Sequence, residues 1–360
     1  MRRSKDPQVT IKGVYDRVNE EAFDLLQEIN RCSAKPVTNT LLAADFSLRH
    51  EVNTSFAGHI GILHQNPFRP MRKALLISLV IIIVGGCTLK AGYNRLDWML
   101  TEYLESYVEL NKAQKTALRQ RMAASLEWHR RTQLPAYVVW LQSVKLDVQH
   151  GITQAQVEQH VLQLLVLWRA LMVRFAEDMA VLLPLLDEQQ REALFESFAE
   201  QNAEYHQDYI QISRQQQREN YADWLEDNFE RWLGSLTEQQ EQRIATSAAQ
   251  IQPIATDALK TRLRWQQQLR EILRNHKDTA TTQVAMQQLF VQPEHLRTEH
   301  YTQRLIHNSG VITHLIADVG QQLTDKQRQH LNKRIDKYSK LFEELAAEGQ
   351  VKPARQCEAC

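Results

Sequence analysis

From Tyr93 onward the apolar residues recur at helical spacing. Leu96, Leu100, Leu104, Tyr107 and Val108 share one face; Val157, Val161, Leu164, Trp168, Leu171, Phe175, Met179 and Leu182 form a second stripe; Leu194, Phe198, Tyr205, Tyr209 and Ile212 form a third. A period of 3.6 with no alternating runs predicts helices and no strands. A short motif recurs between the stripes: Leu110-Asn111-Lys112-Ala113-Gln114, Ile152-Thr153-Gln154-Ala155-Gln156, Leu186-Asp187-Glu188-Gln189-Gln190, Leu236-Thr237-Glu238-Gln239-Gln240 and Leu323-Thr324-Asp325-Lys326-Gln327. Each joins an apolar residue, an N-capping residue and a Gln three places after the cap, which can reach back to the cap's own N–H; that is a capping box, and it marks a helix start. In four of them an apolar residue follows eight places after the first, at Leu118, Leu194, Ile244 and Leu331. The long interval after Thr237 leaves room for a sixth start near Asp278 to Thr282. Breaks are expected at Pro135, near Pro184, at Gly234, Pro253 and Pro293, and at Asn308-Ser309-Gly310. The predicted body, residues 93–348, is an all-α, elongated antiparallel bundle of about seven or eight long helices.

One stretch departs from this pattern. Met71-Arg72-Lys73 is followed by an apolar run from Ala74 to Val84, interrupted only by Ser78, and then by Gly85-Gly86-Cys87. Cations, a short apolar run and small residues are the layout of an export signal. The run is too short to cross the roughly 30 Å of membrane hydrocarbon, which takes about 20 helical residues, and it lacks the polar stripe of a core helix. Val84-Gly85-Gly86-Cys87 closely resembles the lipobox of bacterial lipoproteins. The resemblance implies cleavage between Gly86 and Cys87 and acylation of Cys87, with residues 71–86 as signal peptide and 87–92 as a short lipidated tether. Residues 1–70 carry one weak amphipathic patch, Val14 to Ile29, and end in turn-rich Asn66-Pro67-Phe68-Arg69-Pro70. They read as a non-native or disordered leader, with Met71 as the expected translation start; a genuine cytoplasmic extension is the alternative.

Composition supports the helical reading. Downstream of Cys87 there are only six glycines and five prolines, in a background rich in Gln, Leu, Ala, Glu and Arg. The chain carries 43 Lys+Arg against 43 Asp+Glu, so it has no basic excess of the kind that nucleic-acid binding requires. The tail, 349–360, ends Cys357-Glu358-Ala359-Cys360. In an oxidising compartment this pair reads first as a disulfide between Cys357 and Cys360 or an idle tail; linkage between molecules, or metal or redox work, are the alternatives.

Candidate chemistry is sparse. Trp128, His129, Arg130 and Tyr137 form the densest group of functional residue types: a binding reading has Arg130 and Arg131 hold an anion beside His129, and a structural reading has the rings pack while Pro135 kinks the helix. His300, His307 and His314 recur every seven residues, about 10.5 Å apart along a helix and too far for one metal. No metal site, cofactor site or catalytic motif is expected. Glu177-Asp178 and Glu226-Asp227 read as solvated helix faces. Seven tryptophans, all after Cys87, read mainly as core, with some available to line a groove for an apolar partner.

Tyr93-Asn94-Arg95-Leu96-Asp97-Trp98 and Glu127-Trp128-His129-Arg130-Arg131-Thr132-Gln133-Leu134-Pro135-Ala136-Tyr137, together with the lipobox, resemble an uncharacterised family of helical bacterial envelope lipoproteins. The Leu-Thr-x-x-Gln motif is similar to that of the small periplasmic chaperones Spy and CpxP. The first resemblance implies a helical body at the cell envelope and adds no mechanism; the amphipathic helices with aromatic stripes, which can offer a groove to a partner, lead to the expectation of a non-enzymatic, lipid-anchored, periplasm-facing protein that binds an envelope component. Thr88, not Asp, after the lipid cysteine implies the outer membrane. The partners expected are the membrane, through the lipid, and an envelope protein or an unfolded polypeptide, with no nucleic acid. The alternatives are a Spy-like or CpxP-like chaperone or stress factor, and an enzyme of envelope polymers using Glu127, His129 and Arg130.

Overall fold

A computed structural model describes residues 86–275 and 278–350. These all fall in the second of the chain's two compact units, residues 51–360. The leader, the signal segment up to residue 85, and the tail with Cys357 and Cys360 lie outside the described residues. The helices are α1 (Gly86–Tyr93), α2 (Leu96–Glu105), α3 (Lys112–Trp128), α4 (Leu134–Gln149), α5 (Gln154–Leu182), α6 (Glu188–Tyr205), α7 (Arg214–Leu233), α8 (Glu238–Gln250), α9 (Ala255–Asn275), α10 (Thr279–Val291), α11 (Glu299–Gln321) and α12 (Asp325–Gln350). No strand occurs among the described residues, so the fold is all-α. None of these helices is long and apolar enough to cross a membrane.

All five capping boxes are formed, with the cap oxygen and the Gln side chain each accepting the other residue's backbone N–H. The sixth start is present as well: Asp278 caps α10 through Thr281 N–H at 2.8 Å. Two further caps went unread. Ser213 caps α7, but Gln216 turns away to Asn220, so the box is only half made. Thr298 caps α11 with the buried Tyr301 at the position a Gln would need. These extra starts, with the short α1 and α2, raise the helix count above the expected seven or eight.

Three expectations need correction. Pro135 does not break its helix: α3 runs into α4 through one wide π turn, His129–Gln133, which takes up the misfit between the proline ring and the carbonyl four residues earlier. Asn308-Ser309-Gly310 lies inside α11, where the Asn308 side chain bonds Gln252 N–H and C=O at 2.8 and 2.9 Å and so fastens the α8–α9 connection. Residues 87–92, read as a tether, belong to α1. The main core joins α4, α7, α8, α11 and α12 around Leu141, Leu225, Ile244, Leu315 and Ile335. A second core joins α5, α6, α9 and α10 around Phe195, Leu269, Met286 and Leu289. Gly320 makes the first of these possible, because a Cβ there would meet Ile152 Cγ2 at 2.4 Å.

Candidate functional site

The box glutamines do more than cap. Gln114 Nε2 donates to Gln190 Oε1 at 2.7 Å and Gln190 Nε2 returns the bond to Gln114 Oε1 at 2.9 Å. Each amide also donates across the pair to the carbonyl two residues before the other's cap, Gln114 to Leu185 at 2.8 Å and Gln190 to Glu109 at 2.7 Å. Meanwhile each Oε1 accepts the N–H of its own cap, at 2.9 and 3.0 Å. A second clasp repeats the pattern between Gln240 and Gln327, with reciprocal bonds of 3.1 and 2.7 Å and a bond from Gln327 to Ser235 O at 3.0 Å. Glutamate would complete a capping box equally well. It cannot donate, however, so only an amide closes this clasp. The Gln156 box has no glutamine partner: its amide bonds Asp147 at 2.8 Å, which also holds the buried His160 at 2.8 Å.

The first clasp borders an apolar cavity of about 340 Å³. Its walls come from α2, α3, α5, α6, α9 and α10 and include Tyr107, Leu118, Phe175, Phe198, Trp265 and Phe290. Leu110, Leu118, Leu186 and Leu194, the motif's own apolar positions, all face it. The cavity is open to solvent, and among its lining residues Leu185 is 48 % exposed. Trp265 is held in place by its ring N–H on Leu289 O at 3.1 Å. Of the seven tryptophans, Trp265 lines this cavity.

One corner of the cavity is polar. Gln201 and Asn202 from α6 meet Arg262 and Gln266 from α9, where 262, 265, 266 and 269 share a face by helical spacing. Asn202 donates to Gln266 at 2.8 Å, and its Oδ1 is buried without a partner. The Arg262 guanidinium lies 4.5 Å from the centre of the Tyr205 ring. Burial lowers the Arg262 pKa, partly offset by Tyr205, Tyr301, Tyr107 and Tyr209 around it. The sequence held a signal for this corner that went unread: an arginine three and seven residues before Trp265 and Leu269, inside an apolar stripe.

The residues singled out from the sequence meet elsewhere. Tyr93 O–H bonds His129 Nδ1 at 2.8 Å, Arg130 bonds Asn94 at 2.7 Å and lies over the Tyr93 ring at 5.2 Å, and His129 meets Tyr137 edge-on at 5.5 Å. The two stretches that carried the family resemblance are therefore partners in space, and together they dock α1, the helix that contains Cys87, on α12 and the π turn. Lys90 adds an ion pair with Glu348 at 2.8 Å. Burial first, and then the Arg130 charge, lower the His129 pKa to about 4; burial raises Tyr93 and Tyr137 to about 12. Trp128 is half-buried at the mouth of the π turn, where its carbonyl accepts from Thr132. Glu127 pairs with Arg131 and does not meet His129. Tyr137 packs on Phe342 at 6.0 Å.

One carboxylate pair was misread. Asp178 is 1 % exposed, bonded to Ser125 and flanked by Arg121 at 3.5 Å and Arg174 at 3.9 Å, so it is an interior ion cluster and not a solvated face. His300, His307 and His314 lie exposed along α11; His307 bonds Gln250 O and His314 bonds Gln154. Among the described residues no group of three metal-ligating side chains converges.

The fold and cavity define an all-helical protein with an apolar pocket set over paired helix starts. A sequence-family model described as a family of unknown function, DUF6279, matches residues 106–302, more than half the chain, and the chain belongs to that family. The match includes the first clasp, most of the cavity wall and the Glu127–Tyr137 stretch, and it ends before Gln327. No curated protein and no solved structure matches the chain.

Proposed function

We propose that this is a non-enzymatic lipoprotein of the bacterial envelope, anchored through acylated Cys87 on the periplasmic face of the outer membrane, whose helical body binds an apolar envelope component. The observation that carries the binding half is the 340 Å³ cavity, which falls within the 300–1,000 Å³ of typical small-ligand pockets and has their mostly apolar, aromatic lining with a few polar groups. The anchoring half is supported by the Lys73-to-Cys87 pattern and by the docking of α1, which ties the lipid-bearing residue to the bundle without a free linker. A neutral naphthylamine dye tests the binding: saturable uptake with energy transfer from Trp265 is the expected result, and uptake that does not saturate refutes it. Labelling cells with an alkyne fatty acid tests the anchor, with label expected on the native chain and absent from Cys87→Ala.

A second reading, a chaperone-like hold on unfolded chains, is favoured by Val139 and Leu146, 71 % and 59 % exposed and seven residues apart on α4. It predicts suppression of a client's aggregation at near-equimolar ratio.

A further inference from the structure

We propose that the cavity takes a single alkyl chain with an anionic head, the chain among the aromatic walls and the head on Arg262. This rests on the apolar-pocket reading above and adds the ligand's chemical class.

Size favours one chain over two. At about 340 Å³ the cavity lies at the small end of the roughly 300–1,000 Å³ range of ligand pockets. A second chain would have to lie outside the cavity.

Charge supplies the head. Several other arginines of the bundle have fixed acceptors: Arg121, Arg174, Arg243 and Arg304 face carboxylates, and Arg191 and Arg264 bond backbone carbonyls. Among the described residues no carboxylate and no hydrogen-bond acceptor pairs with Arg262. It lies over the Tyr205 ring, and the phenol groups of Tyr301, Tyr107 and Tyr209 act on its charge. A partly desolvated cation without a counter-ion is costly, and an arriving anion offsets that cost with charge-assisted hydrogen bonds from the guanidinium fork. Gln266 and Asn202 stand one turn along the same corner and add amide donors and acceptors for the rest of the head. A wholly apolar ligand would leave Arg262 and the orphan Asn202 Oδ1 unanswered.

The carboxylate of a fatty acid and the phosphate of a lysophospholipid share this chemistry. The test titrates the full chain with palmitate, lysophosphatidylglycerol and hexadecanol, each below its micelle-forming concentration, and follows tryptophan fluorescence. At least one anionic ligand binds tenfold or more tightly than hexadecanol, the size expected of one charge-assisted contact in a partly buried site. The tighter of the two anions identifies the source. Arg262→Gln brings that anion down to the affinity of hexadecanol and leaves hexadecanol unchanged; Arg262→Lys keeps part of the preference and carries the test should Arg262→Gln fail to fold. Equal affinity of all three ligands for the native chain overturns the anion site while leaving the apolar pocket standing. No saturable binding of any ligand overturns both readings.

Discussion

The two glutamine clasps use the same four-residue logic and end in different surroundings. At the second, Gln240 and Gln327 are 1 % and 2 % exposed, and the motif's apolar positions Ile244, Leu323 and Leu331 are sealed in the main core. At the first, the equivalent Leu118, Leu186 and Leu194 are just as buried, at 3 %, 5 % and 7 % exposed, but they also line the cavity. The capping chemistry therefore fixes where helices begin and which pairs of starts lie side by side. What packs beyond the start decides between core and pocket: over the first clasp α2 brings Tyr103 and the turn after it brings Tyr107, two rings that roof a space instead of filling it.

The sharpest way to separate the clasps is to remove their ability to donate. Gln240→Glu keeps the capping box but buries a carboxylate opposite Gln327, and about 3 kcal/mol or more of stability is expected to be lost. Gln114→Glu makes the same change at a buried position whose partner Gln190 is only half-buried, and is expected to cost about 1–2 kcal/mol. Urea unfolding of the pair measures the difference; equal losses would mean that the two clasps are equally sealed.

Added bulk gives the next contrast. Ala248→Phe overfills the closed core, and about 1–3 kcal/mol is expected to be lost. Val108→Phe enters the cavity, leaves stability within about 1 kcal/mol of the native chain and abolishes dye uptake. Gly320→Ala drives a methyl group into Ile152 and belongs with the first of these, visible as a lowered melting temperature.

The smallest effect concerns α1. In an unfolded chain His129 titrates near 6.5, and in the fold burial and Arg130 hold it near 4. Its contribution to docking α1 is therefore complete above pH 6.5 and declines as pH falls toward 4, because the unfolded chain then gains a proton that the native ring refuses. Protection of residues 86–93 against hydrogen exchange, relative to the unfolded-chain rate at the same pH, is expected to fall across that window, and His129→Gln to flatten the dependence.

Much of this was legible in the sequence because capping is local. Asn111, Thr153, Asp187, Thr237, Thr324 and Asp278 each announce a start within four residues. The clasps were not legible, since nothing in a local box says which other box it will face. Pro135 misled because a wider turn can absorb a proline ring, and Asn308-Gly310 because the Asn308 side chain found partners across a loop. His129, Arg130 and Tyr137 do meet, around Tyr93, and what they hold is α1. Arg262 was missed because a lone cation in an apolar stripe looks like a snorkelling surface residue until its missing counter-ion is seen.

The central claim is that the space over the first clasp is a binding pocket and not a packing fault. Saturable binding of the neutral naphthylamine dye, compared between the native chain and Val108→Phe, tests it most directly. One site per chain that disappears in Val108→Phe with the melting temperature retained is the predicted result; binding that survives the substitution unchanged would contradict the account.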